Sequence, residues 1–218
     1  MKLIIQLVLW VIILFLGWKL YDSVIGPVQF NKKKEQRYEQ VIAKLKDIKA
    51  AQLAHKEITG DFSGDFNGLV SFLDTAKFAI TERRDSSYAD VEKNKAYGID
   101  EGYYIDVIVV DTLDFVSVKD SLFKDDTRYK NMANVPDSDA KFELKSGKLE
   151  KNGINYSVFE AKVAKKIVLD GMNKDLILQE EQVNSVDGVN GAFISVGSMT
   201  EISTSGNWPK LYDKATDQ

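Results

Sequence analysis

The sequence predicts an α+β protein with one membrane-spanning helix at its N-terminus. Three observations lead to this fold class. Residues 3–18 are almost wholly apolar, residues 38–51 carry apolar side chains at helical spacing, and residues 141–163 hold short β-rich runs separated by turn residues. Helical segments precede the β-rich segments, which is the order of an α+β fold rather than of alternating βαβ units. We therefore expect the N-terminal helix to continue into a long amphipathic helix that packs on an antiparallel sheet.

The apolar N-terminal segment is long enough to cross a membrane. A transmembrane helix needs about 20 mainly apolar residues, and residues 3–21 reach that range when Lys19 extends its ammonium group to the headgroups. We predict an uncleaved signal anchor over residues 1–21 that contacts membrane lipid. Its candidate anchor residues are Leu3, Ile5, Leu9, Ile12, Phe15 and Trp18. The alternative is a cleaved signal peptide, which requires a small-residue cleavage site, and none occurs before Gly26.

Two signals disagree about the side of the membrane on which the C-terminal part lies. Lys32, Lys33, Lys34 and Arg37 follow the span, so a simple positive-inside count places this part in the cytoplasm. These charges begin about ten residues beyond the span, at the edge of the range over which the rule counts. The Asn-, Ser-, Thr- and Asp-rich composition is typical of secreted bacterial proteins. We predict a single-pass inner-membrane protein with a periplasmic C-terminal domain.

The next segment reads as a linker followed by an amphipathic helix. Gly26 and Pro27 predict an interruption, because proline removes a backbone donor and kinks or ends a helix. Residues 22–37 are therefore expected to form a juxtamembrane linker and helix start, with the second helix beginning at Asn31. Its apolar stripe includes Val41, Leu45 and Ile48, and Gly60 predicts the helix end. This stripe must pack either on the rest of the domain or on a partner, including another copy of the chain.

The remaining chain predicts one domain over residues 38–202 and a C-terminal tail over residues 203–218. Residues 69–78 read as a short helix, residues 81–102 as a loop or irregular helix, and residues 103–110 and 115–118 as strands. Further strands are expected at 141–144, 148–151, 154–163, 166–169 and 193–196, with turns at 146–147 and 152–153. Asn173 predicts the cap of a helix that runs to about residue 186. In the tail, Trp208 and Tyr212 could anchor a partner or fold back onto the sheet.

Composition excludes several classes of function. The net charge is −4 and the pI is about 5.2, so a nucleic-acid-binding role has no electrostatic support. Cysteine is absent and His55 is the single histidine, so thiolate chemistry and a histidine-based metal cluster are excluded. No nucleophile elbow or phosphate-binding glycine loop occurs. We expect neither an enzyme nor a bound cofactor.

One loop has a pattern that could bind calcium. Asp61, Ser63, Asp65 and Asn67 alternate like the oxygen ligands of an EF-hand loop. The positions that an EF-hand fills with Gly and Glu hold Phe66 and Phe72 in this chain. The alternative is a turn with exposed polar groups.

Residues 48–73, IKAAQLAHKEITGDFSGDFNGLVSFL, resemble a pattern of type IV pilin-like proteins, in which an amphipathic helix is followed by a loop and a short Leu/Phe helix. The whole chain is similar to uncharacterised single-pass envelope proteins of Bacteroidota, through its anchor, the helix FNKKKEQRYEQVIAKLKDIKAAQLAHK, VFEAKV at 158–163 and VGSMTEISTSGNW at 196–208. This resemblance implies a pilin-like fold. The chain departs from prepilins because no Gly precedes the apolar run and no acidic residue lies within it.

Together these features predict a membrane-anchored structural or scaffolding subunit of a bacterial envelope assembly, such as a secretion, pilus-like or surface-motility machine. Its expected partners are membrane lipid, other envelope proteins and copies of itself. The alternative is a membrane-tethered periplasmic module that binds glycan, peptidoglycan or lipid. A third hypothesis is an enzyme of unfamiliar type.

Overall fold

The computed structural model describes residues 2–100 and 102–216, and it has an α+β fold. A long N-terminal apolar helix is followed by small antiparallel sheets and short helices. The helices are α1 (Lys2–Thr59), α2 (Phe66–Thr75), α3 (Val91–Ala96), α4 (Val118–Phe123), α5 (Lys165–Val168) and α6 (Lys174–Glu181). The strands are β1 (Lys77–Ala89), β2 (Tyr104–Ser117), β3 (Glu143–Lys151), β4 (Ile154–Ala164) and β5 (Phe193–Gly197). Two 3₁₀ turns cover Arg128–Asn131 and Lys210–Thr216.

The chain divides into two compact units. Unit 1 comprises the residues up to 70 and from 127 onward, and unit 2 comprises residues 71–126. The sequence predicted one domain over residues 38–202, and the structure separates residues 71–126 from it. These residues contact mainly one another, because β1 and β2 pair along their whole length.

Helix α1 is continuous, so the predicted interruption at Gly26 and Pro27 and the linker over residues 22–37 are wrong. Pro27 lies inside the helix. A proline removes one backbone hydrogen bond, but more than twenty helical residues on each side keep the remaining hydrogen bonds in place. The helix ends at Thr59 as predicted, and Gly60 has the positive φ of 87° that glycine adopts without a steric penalty.

The two halves of α1 have different surroundings. The apolar window near the N-terminus is long enough to span a membrane, and none of it is buried. A signal sequence has the same length and composition, and these properties do not assign a side of the membrane. From Phe30 onward one face of the helix is buried, with Tyr38, Val41, Ile42, Leu45, Ile48, Ala51 and Ala54 at spacings of three and four.

Unit 1 contains a three-stranded antiparallel sheet in the order β3–β4–β5, and α1 contacts β4 and β5. The strand faces that contribute to this core include Phe159, Ala161, Val163, Ile194 and Val196. The turn between β3 and β4 is the predicted one, since Asn152 and Gly153 both have positive φ. The turn predicted at residues 146–147 does not form, because both residues pair with β4 inside a single strand.

Two short segments of unit 1 differ from prediction in extent or type. Residues 166–169 were predicted as a strand, and residues 165–168 form the single helical turn α5. Asn173 caps α6 as predicted, since its side-chain oxygen accepts from the backbone amides of Asp175 and Leu176. Helix α6 ends at Glu181 rather than near residue 186.

Unit 2 is built around a two-stranded antiparallel ribbon. The segment 81–102, predicted as a loop or irregular helix, contains the second part of strand β1 up to Ala89 and the short helix α3. Strand β2 joins the two predicted strands into one. The register shifts between Ile80 and Thr81, where Leu113 forms a bulge in β2. Helix α3 lies between the two strands, and the Asn94 side chain exchanges two hydrogen bonds with the backbone of Tyr103.

Candidate functional site

The predicted anchor residues all lie on the unburied part of α1. Leu3 and Ile5 are about as exposed as the rest of the window, and the larger side chains of Phe15 and Trp18 contact each other with ring centroids 6.4 Å apart. Leu9 and Ile12 are exposed as well. Nothing else in the described chain covers this surface, so its apolar side chains are available to a lipid environment.

The helical residues predicted to pack against a partner lie in the core of the chain itself. Val41, Leu45 and Ile48 each have no exposed surface. The sequence left open whether this stripe packs on its own domain or on another protein. In this structure it packs on its own domain, so these three side chains are not accessible to a partner.

The C-terminal aromatic residues are half-buried against unit 1. Trp208 stacks on Gly206, where an added Cβ would overlap the indole ring, and its Nε1 donates to Asp213 at 3.2 Å. Lys46 on α1 donates to the carbonyl oxygen of Tyr212 at 2.6 Å and lies 3.4 Å from the Asp213 carboxylate. Of the two sequence interpretations, the geometry corresponds to a tail folded back on its own domain.

A buried charged cluster joins α1, α5 and α6, and sequence reasoning did not find it. Lys165 is fully buried, and its Nζ donates to Glu180 Oε1 at 3.3 Å, to the Glu180 carbonyl oxygen at 2.6 Å and to the Val189 carbonyl oxygen at 2.7 Å. The same Glu180 carboxylate accepts from Lys34 Nζ at 3.0 Å and from the Tyr38 hydroxyl at 3.3 Å. From the sequence alone, Glu180 and Glu181 are predicted to lie on a solvated face, because neighbours in a helix point about 100° apart and do not share a site. For Glu180 this prediction is wrong, because its side chain is buried.

Burial sets the protonation behaviour of this cluster. It lowers the pKa of Lys165, and the negative charge of Glu180 partly opposes that shift. Burial also raises the pKa of Tyr38 far above its ordinary value, and the charge and hydrogen bond of Glu180 act in the same direction. Tyr212 is raised to a pKa of about 12 by burial and by the nearby charges of Glu35, Glu180 and Glu39.

The cluster is arranged as a structural contact rather than as a catalytic site. All three N–H donors of the Lys165 ammonium are directed at protein oxygens, so none is directed at a substrate. A buried charge pair that satisfies its hydrogen bonds holds the surrounding elements in one arrangement. Lys165 and Glu180 are fifteen residues apart in the sequence, and no local pattern links them.

The loop after α1 uses its polar groups to complete its own fold. Gln52 exchanges two hydrogen bonds with the backbone of Ser63, at 2.8 and 2.9 Å. Asp65 accepts from the amide of Gly68 at 2.7 Å, and Asp61 lies 3.4 Å from Lys148. His55 Nδ1 donates to the Asp61 carbonyl oxygen at 2.7 Å. These contacts correspond to the turn interpretation of the loop.

Across residues 2–100 and 102–216, no three His, Asp or Glu side chains are grouped closely enough to hold a metal ion.

A second group of exposed apolar side chains, outside α1, lies on the β1–β2 ribbon. Ile108 is 67% exposed, Leu113 63% and Phe115 59%. Further exposed apolar residues on the two strands are Ile80, Tyr88, Tyr104, Ile105, Val110 and Val116. Sequence reasoning identified the β-character of residues 103–110 but not that these side chains remain exposed.

Comparison of the chain with protein-family models, with curated proteins and with solved structures finds no match.

Proposed function

We propose that this chain is a membrane-anchored, non-enzymatic scaffolding subunit of a bacterial envelope assembly. In this proposal the apolar half of α1 lies in the inner membrane, and the rest of unit 1 and the whole of unit 2 lie in the periplasm. The observation that carries the proposal is the continuity of α1, which extends without a break from the exposed apolar window into the core of unit 1.

A continuous helix is a suitable link between a membrane and a folded domain. At about 1.5 Å per residue, its 58 residues extend for about 87 Å. The buried face from Phe30 to Ala54 fixes the helix within unit 1, so a force or displacement at the membrane is transmitted to that unit. A flexible linker at residues 22–37 would not transmit it.

The proposal of a pilin-like fold has support from the same region. A helix that begins apolar and then packs on an antiparallel sheet is the arrangement that the resemblance implies, and α1 contacts β4 and β5. The proposal for this chain is a fixed membrane component, because its apolar segment, residues 3–18, contains no acidic residue of the kind that prepilins carry there.

The proposed assembly role is tested by mild detergent extraction of the tagged full-length protein from its native membrane. The scaffold proposal predicts that other membrane proteins co-purify in fixed stoichiometry. Extraction without any other protein, as a species of one defined size, would contradict it and would favour the binding-module alternative. A matched extraction of a variant with Lys46→Met, which releases the contact with Tyr212 and Asp213, tests whether the folded tail is needed for these partners.

A further inference from the structure

The β1–β2 ribbon is incomplete as a sheet. Its strands pair at thirteen positions, and within the described part of the chain neither strand has a second neighbour. A two-stranded ribbon is at best marginally stable in water, and its open edges present rows of unpaired backbone donors and acceptors. A ribbon of this length therefore has a strong tendency to acquire a further strand.

The two strands differ in a way that indicates where the further strand binds. Residues 82–85 of β1 are four consecutive charged side chains, and all four are exposed. Charged residues of this kind protect the outer edge of a sheet. Residues 107–110 of β2 are four consecutive apolar side chains that alternate between the two faces. An apolar run of this kind lacks the charges that protect an edge strand, and an exposed edge without them is a site for pairing with another chain. The composition of β1 suits an edge and that of β2 suits the interior.

Strand β2 is complementary to itself when two copies run antiparallel. Residues 104–112 precede the bulge and pair regularly with β1, and their midpoint is Ile108. Directly opposite residues share a face of the sheet. A two-fold axis between two β2 strands must therefore lie midway between the two copies of one residue, which face each other. When the two-fold axis lies at Ile108, Asp106 of one copy faces Val110 of the other, and Asp111 faces Ile105.

The charges restrict the register further. When the axis lies at Val109, Asp106 faces Thr112 and Asp111 faces Val107. The registers about Ile108 and Val109 therefore bring no two carboxylates opposite each other. With the axis at Val110, Asp106 would face Asp114 of the other copy. With the axis at Asp111, the two copies of Asp111 would face each other. Like charges directly opposite each other destabilise a strand pair. The charges also tolerate a register about Val107, but there only Val107 itself faces a residue of the apolar run 107–110. In the registers about Ile108 and Val109, three of the four residues of this run face one another, so these two registers are favoured.

We propose that β2 pairs edge to edge with β2 of a second copy of this chain, in antiparallel orientation and centred on Ile108 or Val109. The product is a four-stranded sheet in the order β1–β2–β2–β1. The charged β1 strands form both outer edges, so the contact closes as a two-fold dimer instead of extending into a fibre. Nine paired residues in the register about Ile108 extend for about 30 Å.

This inference rests on the proposed scaffolding function and deepens it by naming one partner as a second copy. Anchors in the same membrane raise the effective concentration of two copies for each other, which favours a contact made by strand edges alone.

Disulfide trapping tests the proposal, because the natural chain has no cysteine. Val107→Cys, Ile108→Cys, Val109→Cys and Val110→Cys are introduced one at a time into the full-length protein and oxidised in native membranes. Across an antiparallel pair, residues directly opposite have Cα atoms about 4.5–5.5 Å apart, which is within disulfide reach. We expect one dominant position, Ile108→Cys or Val109→Cys, to give a covalent dimer on a non-reducing gel.

Asp85→Cys is the matched control, because Asp85 is the cross-strand neighbour of Ile108 on the same face. In the proposed sheet, three strand spacings separate the two copies of residue 85, which is about 14 Å and too far for a disulfide. Equal cross-linking at all five positions would indicate random collision and would overturn the proposal. Cross-linking at Asp85→Cys alone would overturn it in favour of β1 pairing. The absence of any dimer, in variants that melt like the natural protein, would also overturn it.

Disulfide trapping and co-purification can reject the β2 dimer and the scaffolding function independently of each other. Specific trapping without any other co-purifying protein would retain the dimer and reject the wider assembly. Co-purifying partners without trapping would retain the scaffold and reject the β2 contact, leaving the β2 edge as a candidate site for a strand of a different protein.

Discussion

Unit 1 and unit 2 use apolar residues in opposite ways. In unit 1 the stripe of α1 and the inner face of the sheet are buried, and Lys165 and Glu180 are paired inside the same core. In unit 2 a strand of comparable apolar content has Ile108 and Val110 mostly exposed. In unit 1 the favourable free energy of burying apolar surface is gained when the chain folds. In unit 2 it can still be gained when the exposed strand binds a partner. Substitutions should therefore affect folding in unit 1 and association in unit 2.

The largest effect is expected from Leu45→Asp in the core of unit 1. Leu45 has no exposed surface, so the substitution removes a packed side chain and buries a carboxylate without a partner. We expect a loss of at least about 4 kcal/mol in the free energy of unfolding, which is a large fraction of the stability of a typical domain. Thermal unfolding followed by circular dichroism measures it. Leu53→Asp on the exposed side of α1 is the control, and equal melting of the two variants would contradict the account.

The next effect is expected from Lys165→Met in the buried cluster. Removing one member of a buried ion pair leaves the other charge less compensated, at a cost of about 3–5 kcal/mol. Glu180 still has Lys34 and Tyr38 as partners, so we expect the lower end of that range. Chemical denaturation measures the difference. Lys166→Met changes the adjacent exposed lysine and should be nearly neutral, and a similar loss in both variants would show that the cluster does not stabilise unit 1.

The cluster also predicts a loss of stability at alkaline pH. Tyrosine in the unfolded chain loses its proton at about pH 10, whereas the raised pKa of Tyr38 and Tyr212 keeps both protonated in the folded chain. Unfolding therefore releases protons above about pH 10, and stability falls as the pH rises towards about 12, the pKa of Tyr212. The lowered pKa of Lys165 has the opposite effect, which is complete at about pH 10.4, where lysine in the unfolded chain titrates.

The test is the melting temperature measured between pH 9 and pH 11, a range that brackets the ordinary tyrosine pKa of ~10. Tyr38→Phe should reduce the slope, and Tyr97→Phe, which changes an exposed tyrosine of unit 2, should leave it unchanged. The same slope of melting temperature against pH in the natural protein, Tyr38→Phe and Tyr97→Phe would contradict the role of Tyr38.

The smallest effect on folding is expected in the ribbon. Ile108→Thr keeps a β-branched side chain at an exposed site, so the free energy of unfolding should change by no more than about 0.5 kcal/mol. The fraction of dimer, measured by light scattering in detergent, should fall because the apolar centre of the proposed contact is lost. A large loss of stability with an unchanged dimer fraction would reverse the comparison between the two units.

Local signals in the sequence predicted part of this fold. The apolar stripe of α1, the helix end at Gly60, the turn at Asn152 and Gly153 and the cap at Asn173 depend on neighbouring residues alone, and the structure contains each of them. Pro27 shows the limit of a local rule, because the helical segments on both sides outweigh the cost of one missing hydrogen bond.

Features that depend on distant residues were missed. The segment TERRDSS has no apolar alternation, and it forms β1 because β2 supplies the partner strand. Glu180 was assigned to the surface because its partners Lys34, Tyr38 and Lys165 lie elsewhere in the chain. The candidate packing residues Val41, Leu45 and Ile48 were identified as apolar helix positions, but the sequence did not decide between their own domain and a partner.

The central claim, an anchored domain on the periplasmic side, is tested most directly by the accessibility of a single introduced cysteine. Val186 is 92% exposed in the loop after α6, and Val189 three residues later is 1% exposed. Cells with a permeabilised outer membrane are treated with a membrane-impermeant maleimide. The account predicts that Val186→Cys is labelled in these cells and that Val189→Cys is protected by the fold. Protection of Val186→Cys until the inner membrane is lysed would place the domain in the cytoplasm and would contradict the account.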